Sequence, residues 1–220
     1  MTEHTPKAVD VQIYGPSFSN FVRTIMLICE ENHISYTTGF TLDGQTVPFK
    51  SAQHFALHPC GKFPILKDDN VVLPETASIC RYLKATFDQD EINRFSVQQL
   101  ARIDAFSALA SIYLDQAIIR DYMLEFAFPK GENGTVRFDV VEQAQPALRK
   151  ALKIVEDELL QGDILNGETL TVADALLAPM LHYVTTLPTG FNLLVEFPQL
   201  EKYFAQLMTR KSCQKVLVSK

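Results

Sequence analysis

The sequence predicts a two-part chain, an α/β domain over residues 9–86 followed by an all-α domain over residues 94–220, and three observations predict it. Strand-like stretches, alternating or rich in β-branched residues, occur only among the first 75 or so residues, where they interleave with helical stretches. From Ser96 onward only helical periodicity is found. Between the two regimes lies FDQDEIN (87–93), a charged stretch that reads as the linker.

Taken in order, VDVQIYG (9–15) alternates like a strand and ends on Gly-Pro. FVRTIMLICEENH (21–33) places Phe21, Val22, Ile25, Met26, Ile28 and Cys29 at helical spacing. ISYTTGFTL (34–42) is β-branched and aromatic, the composition of a second strand. The β-α-β order makes these strands parallel, joined by a right-handed crossover. Residues 43–60 read as a loop with a short helix around KSAQHFALH. PILKDDNVVLPE, from Pro64, is a hairpin with Asp69-Asn70 at its tip, and TASICRYLKATF (76–87) is a helix. In the second half, residues 96–128 form one long helix, interrupted at most by a kink, and FPKGENG (128–134) is a turn. Further helices run from about Val136 to Leu160, from Thr171, and from about Phe197 to Leu217.

Composition excludes several function classes. The chain has 220 residues, 47% hydrophobic and 21% charged, enough for a sizeable core without disulfides or metals. Its formal charge of −6 and dispersed Lys and Arg argue against nucleic acid or an anionic membrane as partners. Cys29, Cys60, Cys80 and Cys213 lie far apart with no metal-ligand spacing, so no metal is expected and a reduced, cytoplasmic setting is. The polar start, MTEHTPKAVD, carries no apolar core of a secretory leader, and no stretch approaches the roughly 18 apolar residues that a bilayer requires.

Three segments carry chemistry: HPCGKFPIL (58–66), PETASICRYL (74–83) and LTVADALLAP (170–179). Pro64 removes a ladder donor where a strand begins, which by itself marks an edge strand. Glu75 and Thr76 start a helix, whose free amides suit an anion. Thr171 and Asp174 form a capping box, a structural device. In this order and at these spacings the segments resemble the cytosolic glutathione S-transferase superfamily over nearly the whole chain, from about Val11 to Lys211. The resemblance implies a thioredoxin-like N-terminal domain that binds glutathione and a C-terminal helical bundle.

It also implies roles. The Phe63–Pro64 bond would be cis, with the amide and carbonyl of Phe63 pairing with the cysteinyl backbone of glutathione as an added strand. Glu75 would meet the ligand's ammonium and Thr76 its α-carboxylate, while Lys62 and Lys50 are candidates for the glycyl carboxylate. Phe49 stands where some relatives have a polar residue, often His. The family divides by the residue after the first strand that activates the thiol, here within GPSFSNFVR (15–23). No cysteine occurs there, which argues against glutathione-dependent disulfide reduction or isomerisation. Ser19 stands four residues before Arg23, the spacing of theta- and phi-like Ser-type enzymes, with Ser17 and Tyr14 as alternatives and Asn20 as an auxiliary donor to sulfur. Such a residue has to depress a thiol pKa near 8.5, and two units of depression correspond to about 2.7 kcal/mol.

Phe18, Ile112, Tyr113, Gln116, Arg120 and Tyr122 are candidates to line the pocket for an apolar electrophile. Asp104 stands near a position from which some relatives reach the glutathione of a partner subunit. The resemblance implies a homodimer that conjugates electrophiles or reduces hydroperoxides; the alternatives are a glutathione-dependent isomerase or disulfide reductase, weakened by the missing cysteine, and a non-catalytic glutathione-binding or dimerisation module. Two departures mark a divergent member of bacterial type. The chain has no tryptophan, where many relatives carry one near Tyr203, and His58 replaces the usual Asn.

Overall fold

Strand β1 (Asp10–Tyr14) lies inside a four-stranded sheet, between β2 (Ser35–Gly39) and β5 (Ile65–Asp68), with β6 (Val71–Pro74) at the edge beyond β5. The computed structural model describes residues 10–88 and 94–218. Contacts divide the chain into two units, Met1–Arg94 and Phe95–Lys220; of the predicted linker, residues 89–93 lie outside the described residues. In the first unit β1 pairs in parallel with β2 (Ser35–Gly39), from Asp10↔Ser35 to Tyr14↔Gly39. The crossover between them is α1 (Asn20–Glu31), which buries Val22, Ile25, Ile28 and Cys29 at the predicted spacing. On its other side β1 pairs antiparallel with β5 (Ile65–Asp68), and β5 with β6 (Val71–Pro74) around the two-residue tip Asp69-Asn70. Helix α3 (Thr76–Phe87) follows and packs against α1. Its Ile79, Cys80 and Leu83 are fully buried, and the two aliphatic side chains contribute roughly 1.5–3 kcal/mol each.

One predicted strand is two. Gly39, at φ +135°, ends β2, and Thr41–Leu42 (β3) leaves the sheet to pair with Gln45–Thr46 (β4). The loop between them is Asp43-Gly44, both at positive φ, as a two-residue type I′ turn requires. The expected short helix is α2, Ala52–Leu57, capped by Ser51, whose hydroxyl accepts from the His54 amide.

The second unit is helical throughout. Its long helix opens with α4 (Val97–Leu109), which starts on a reciprocal Ser96–Gln99 capping box. It continues as wider π-helical turns over Ala110–Leu114 and Gln116–Met123 and closes as the short α5 (Leu124–Ala127). Helix α6 is Phe138–Gln161. Helix α7 (Val172–Thr185) is buried on almost every side, which makes it the core of this unit. The Thr171–Asp174 capping box forms as predicted, and Tyr203 adds a hydroxyl donor to the Asp174 carboxylate. Burial pushes the Asp174 carboxyl up, against the bonds from Thr171 and Tyr203 that pull it down. The last predicted helix is a pair, α8 (Pro198–Leu207) and α9 (Lys211–Leu217). Between them Arg210 turns extended, and its guanidinium donates to the carbonyls of Gly167 and Glu168 at 3.4 and 3.1 Å.

The turn between α5 and α6 is held by Glu125, buried at 5% exposure, which accepts from Arg137 Nε at 3.1 Å and Nη2 at 2.6 Å. The backbone amides of Arg137 and Lys130 add bonds of 3.1 and 3.4 Å. These donors, the Arg137 side chain foremost, hold the Glu125 carboxyl at about 2 despite desolvation that raises it. A depressed carboxylate stabilises the fold above the ordinary glutamate range, about 4.3, and that contribution is lost as pH falls toward about 2. Thermal melts across this window will therefore fall more steeply for the native chain than for Glu125→Gln; parallel profiles would contradict the assignment.

Candidate functional site

The predicted site residues of the first unit lie where three segments end near one another: β1, the stretch from Val47 to Pro64, and the β6–α3 junction. Gly15 closes β1 at φ +139°, its amide bonded to the Gly39 carbonyl at 2.8 Å. A Cβ on Gly15 would stand 2.7 Å from Val22 Cγ2 and 3.0 Å from Phe63 Cβ, so the missing side chain lets Phe63 close on the strand end. The Phe63–Pro64 peptide is cis. The Phe63 amide and carbonyl have no hydrogen-bond partner among the described residues. Buried backbone groups are nearly always paired, so an open pair at a half-buried residue is a place for an incoming strand.

Helix caps single out the next two residues. Ser51, Ser96 and Thr171 all use their hydroxyls to cap the helices that follow them. Ser19, the N-cap of α1, does not, and its half-buried hydroxyl has no partner among the described residues. Glu75, the N-cap of α3, also makes no side-chain cap, so the first amides of that helix keep their capacity for an anion. Glu75 stands at φ +73° and ψ 116°, a region that costs a side-chain-bearing residue about 1–3 kcal/mol and that gathers at functional sites. Thr76 behind it is buried at 8% exposure.

The alternatives to Ser19 are placed differently. Tyr14 is fully buried and donates to the Val47 carbonyl at 3.0 Å; desolvation pushes its hydroxyl up. That phenol ties β1 to the loop ahead of α2 and has no exposure with which to meet a thiol. Ser17 is exposed, and its carbonyl accepts from Arg23 Nε at 3.3 Å. Asn20 is buried, and its carbonyl accepts from the Thr24 hydroxyl.

Lys50 and Lys62 are both exposed, 12 residues apart in sequence, yet one side chain joins their backbones. His54, fully buried in α2, takes the Lys50 amide on Nδ1 at 3.0 Å and lies 2.8 Å from the Lys62 carbonyl through Nε2. The Lys50 ammonium stands 5.4 Å from the centre of the Phe49 ring, and Phe49 packs on Phe63 at 5.6 Å. His58 Nε2 lies 3.5 Å from a Glu75 carboxylate oxygen. Sequence reasoning missed His54 and saw His58 only as a departure. Their signal was a pair of histidines four residues apart at the end of a short helix.

Of the pocket candidates, Phe18 is exposed on the first unit; Tyr113, Gln116 and Arg120 are exposed on the π-helical stretch of the second. Arg120 donates to Asp115 at 2.8 Å and Gln116 to Asp121 at 2.6 Å. Ile112 is exposed as well, whereas Tyr122 is buried with its hydroxyl on the Phe191 carbonyl.

The family model described as the glutathione S-transferase N-terminal domain matches residues 13–91, and that described as the C-terminal domain matches residues 138–206. A probable glutathione S-transferase of Oryza sativa subsp. japonica, GSTF2, is 27% identical over 218 residues, covering 94% of this chain and 95% of its own. The structure of glutathione S-transferase I from maize in complex with an atrazine glutathione conjugate superposes with a TM-score of 0.78 at 22% identity, covering 94% and 96% of the two chains. The theta class glutathione S-transferase of Xanthomonas axonopodis pv. citri, with glutathione bound, gives 0.79 at 19% identity, covering 96% and 99%.

The backbone at Glu75 gives a direct check on the junction. At an ordinary position alanine is more stable than glycine by about 0.4–1 kcal/mol. At φ +73° the order reverses, so Glu75→Gly will outlast Glu75→Ala in denaturant by about 1 kcal/mol. Equal stabilities, or a more stable alanine variant, would show that the junction is relaxed.

Proposed function

We propose a thiol-activating site for this chain, which belongs to the glutathione S-transferase superfamily. The chain is a glutathione transferase with glutathione as co-substrate. We assign glutathione to the N-terminal domain, residues 9–86, and the electrophile-binding contribution to the helical domain, residues 94–220. The tripeptide lies along the open edge at Phe63, exchanging backbone hydrogen bonds with its amide and carbonyl ahead of Pro64. Its α-carboxylate sits on the first amides of α3 and the Thr76 hydroxyl, and its ammonium on Glu75. Lys50 and Lys62 face the glycyl carboxylate.

Ser19 is the activating donor. The observation that carries this assignment is its uncommitted hydroxyl at the head of α1, where other serines at helix starts are occupied in capping. A hydroxyl hydrogen bond to sulfur, with the positive end of α1 behind it, favours the thiolate over the thiol. The thiol proton leaves to solvent. The thiolate then forms a carbon–sulfur bond while the leaving group departs with its electron pair, or two glutathiones reduce a hydroperoxide to alcohol and water with formation of the disulfide. Phe18, Tyr113, Gln116 and Arg120 are the residues assigned to the electrophile. Cys29, Cys60, Cys80 and Cys213 form no disulfide among the described residues, which fits the reducing, cytoplasmic setting we propose, and among those residues no helix is long and apolar enough to cross a membrane. A homodimer is the proposed assembly.

Steady-state conjugation of chlorodinitrobenzene tests the donor. A two-unit rise of the bound thiol pKa amounts to about 2.7 kcal/mol, so Ser19→Ala will lose on the order of a hundredfold in kcat/KM while its dissociation constant for glutathione changes little. Ser17→Ala will keep its rate, and Tyr14→Phe will keep its rate and lose stability instead. Retention of full rate by Ser19→Ala, with loss in either of the others, would transfer the role.

A further inference from the structure

The glutathione site is built from segments far apart in sequence, and a single short helix touches both of its ends. Helix α2 carries His54 in its body and His58 as its C-cap, with the His58 amide bonded to the His54 carbonyl at 2.9 Å. Their imidazoles diverge toward different parts of the site. Resting on the glutathione reading above, we propose that His54 and His58 are positioning residues: His54 sets Lys50 and Lys62 for the glycyl carboxylate, and His58 sets Glu75 for the γ-glutamyl ammonium.

The chemistry of His54 is fully specified by its partners. Nδ1 accepts the Lys50 amide, so the ring proton of the neutral imidazole is on Nε2 and is donated to the Lys62 carbonyl. Nothing about filling a core requires both nitrogens to end on the backbones of the two candidate lysines. The ring is locked by Tyr14 at 4.8 Å, Phe49 at 5.4 Å and Phe55 at 6.3 Å, and has no solvent exposure. Lys50 stands at φ +61°, uncommon for a lysine, and its amide is the one His54 holds. The imidazole thus fixes the spacing of two cationic side chains from beneath while both remain exposed.

His58 works at the opposite end by the same logic. Its Nδ1 accepts the Cys60 amide at 3.1 Å, which puts the ring proton on Nε2, the nitrogen 3.5 Å from Glu75 Oε1. The imidazole is 6% exposed and the Glu75 side chain 74% exposed, so a buried ring braces an exposed carboxylate. One carboxylate oxygen faces His58 and the other is left for the ligand. An asparagine here could still accept the Cys60 amide in an Asx turn but is too short to reach Glu75, so the contact belongs to the histidine.

Calorimetric binding of three ligands to the full chain tests the pair: glutathione, γ-glutamylcysteine, which lacks the glycyl end, and the desamino analogue, which lacks the ammonium. The longer His58 contact to an exposed carboxylate is worth a loss of about threefold, whereas the His54 ring makes two buried hydrogen bonds, so a loss on the order of tenfold is expected there. His54→Phe, which keeps the ring and removes both bonds, will weaken glutathione by that order and leave γ-glutamylcysteine within about twofold. Should that variant fail to fold, His54→Gln, which can serve one of the two backbone groups, will show the same ligand pattern at smaller size. His58→Asn will weaken glutathione and γ-glutamylcysteine alike and spare the desamino analogue. Uniform losses over the three ligands, or none, would overturn the proposal and leave both histidines as structural. Lys62→Ala and Glu75→Gln serve as references. If these two also fail to discriminate among the ligands, the glutathione reading itself has failed; if they discriminate and the histidine variants do not, only the positioning role has.

Discussion

Helix α3 must begin one residue after the edge strand β6 ends, and Glu75 alone makes that turn, with φ at +73°. The conformation costs about 1–3 kcal/mol. Ile79 and Leu83, fully buried on the same helix, outweigh it at roughly 1.5–3 kcal/mol for each large apolar side chain. The packing of α3 against α1 therefore over-determines the junction. The consequence is chemical: a carboxylate, a buried threonine and the uncapped amides of a helix are presented together, immediately after a hairpin whose first strand follows the open backbone of Phe63.

The polar groups divide into two sets. In the helical unit they are consumed by structure: Thr171, Asp174 and Tyr203 satisfy one another in the core, and Glu125 takes four donors in a turn. In the first unit several are held in place but left open: the Ser19 hydroxyl, the Phe63 backbone and the head of α3. Tyr14 belongs to the former set despite its position, because its hydroxyl is already bonded to Val47. The contrast shows where binding is to be sought, since an unpaired polar group held in place calls for an explanation and a ligand that completes it is one.

Much of this was legible in the sequence. Alternation and helical spacing placed β1, α1, the Asp69-Asn70 hairpin and α3, and the Thr171–Asp174 box marked the start of α7. The Asp43-Gly44 hairpin was missed although the dipeptide is a strong turn signal, because its strands are only two residues long. The π-helical turns after Leu109 and the break before Lys211 leave no local mark: neither place has a glycine or proline, and Arg210 is drawn out by carbonyls more than 40 residues away in sequence. The role of His54 was hidden for the same reason, since a buried histidine reads as core until both nitrogens are seen to reach the backbones of Lys50 and Lys62.

The central claim is that this arrangement holds glutathione as the thiolate, and it is tested most directly by following thiolate absorbance of glutathione bound to the native protein as pH is varied. The account predicts an apparent pKa about two units below the free value near 8.5. A bound thiol that titrates near its free value, with the site saturated, would contradict it: the tripeptide would be held without being activated.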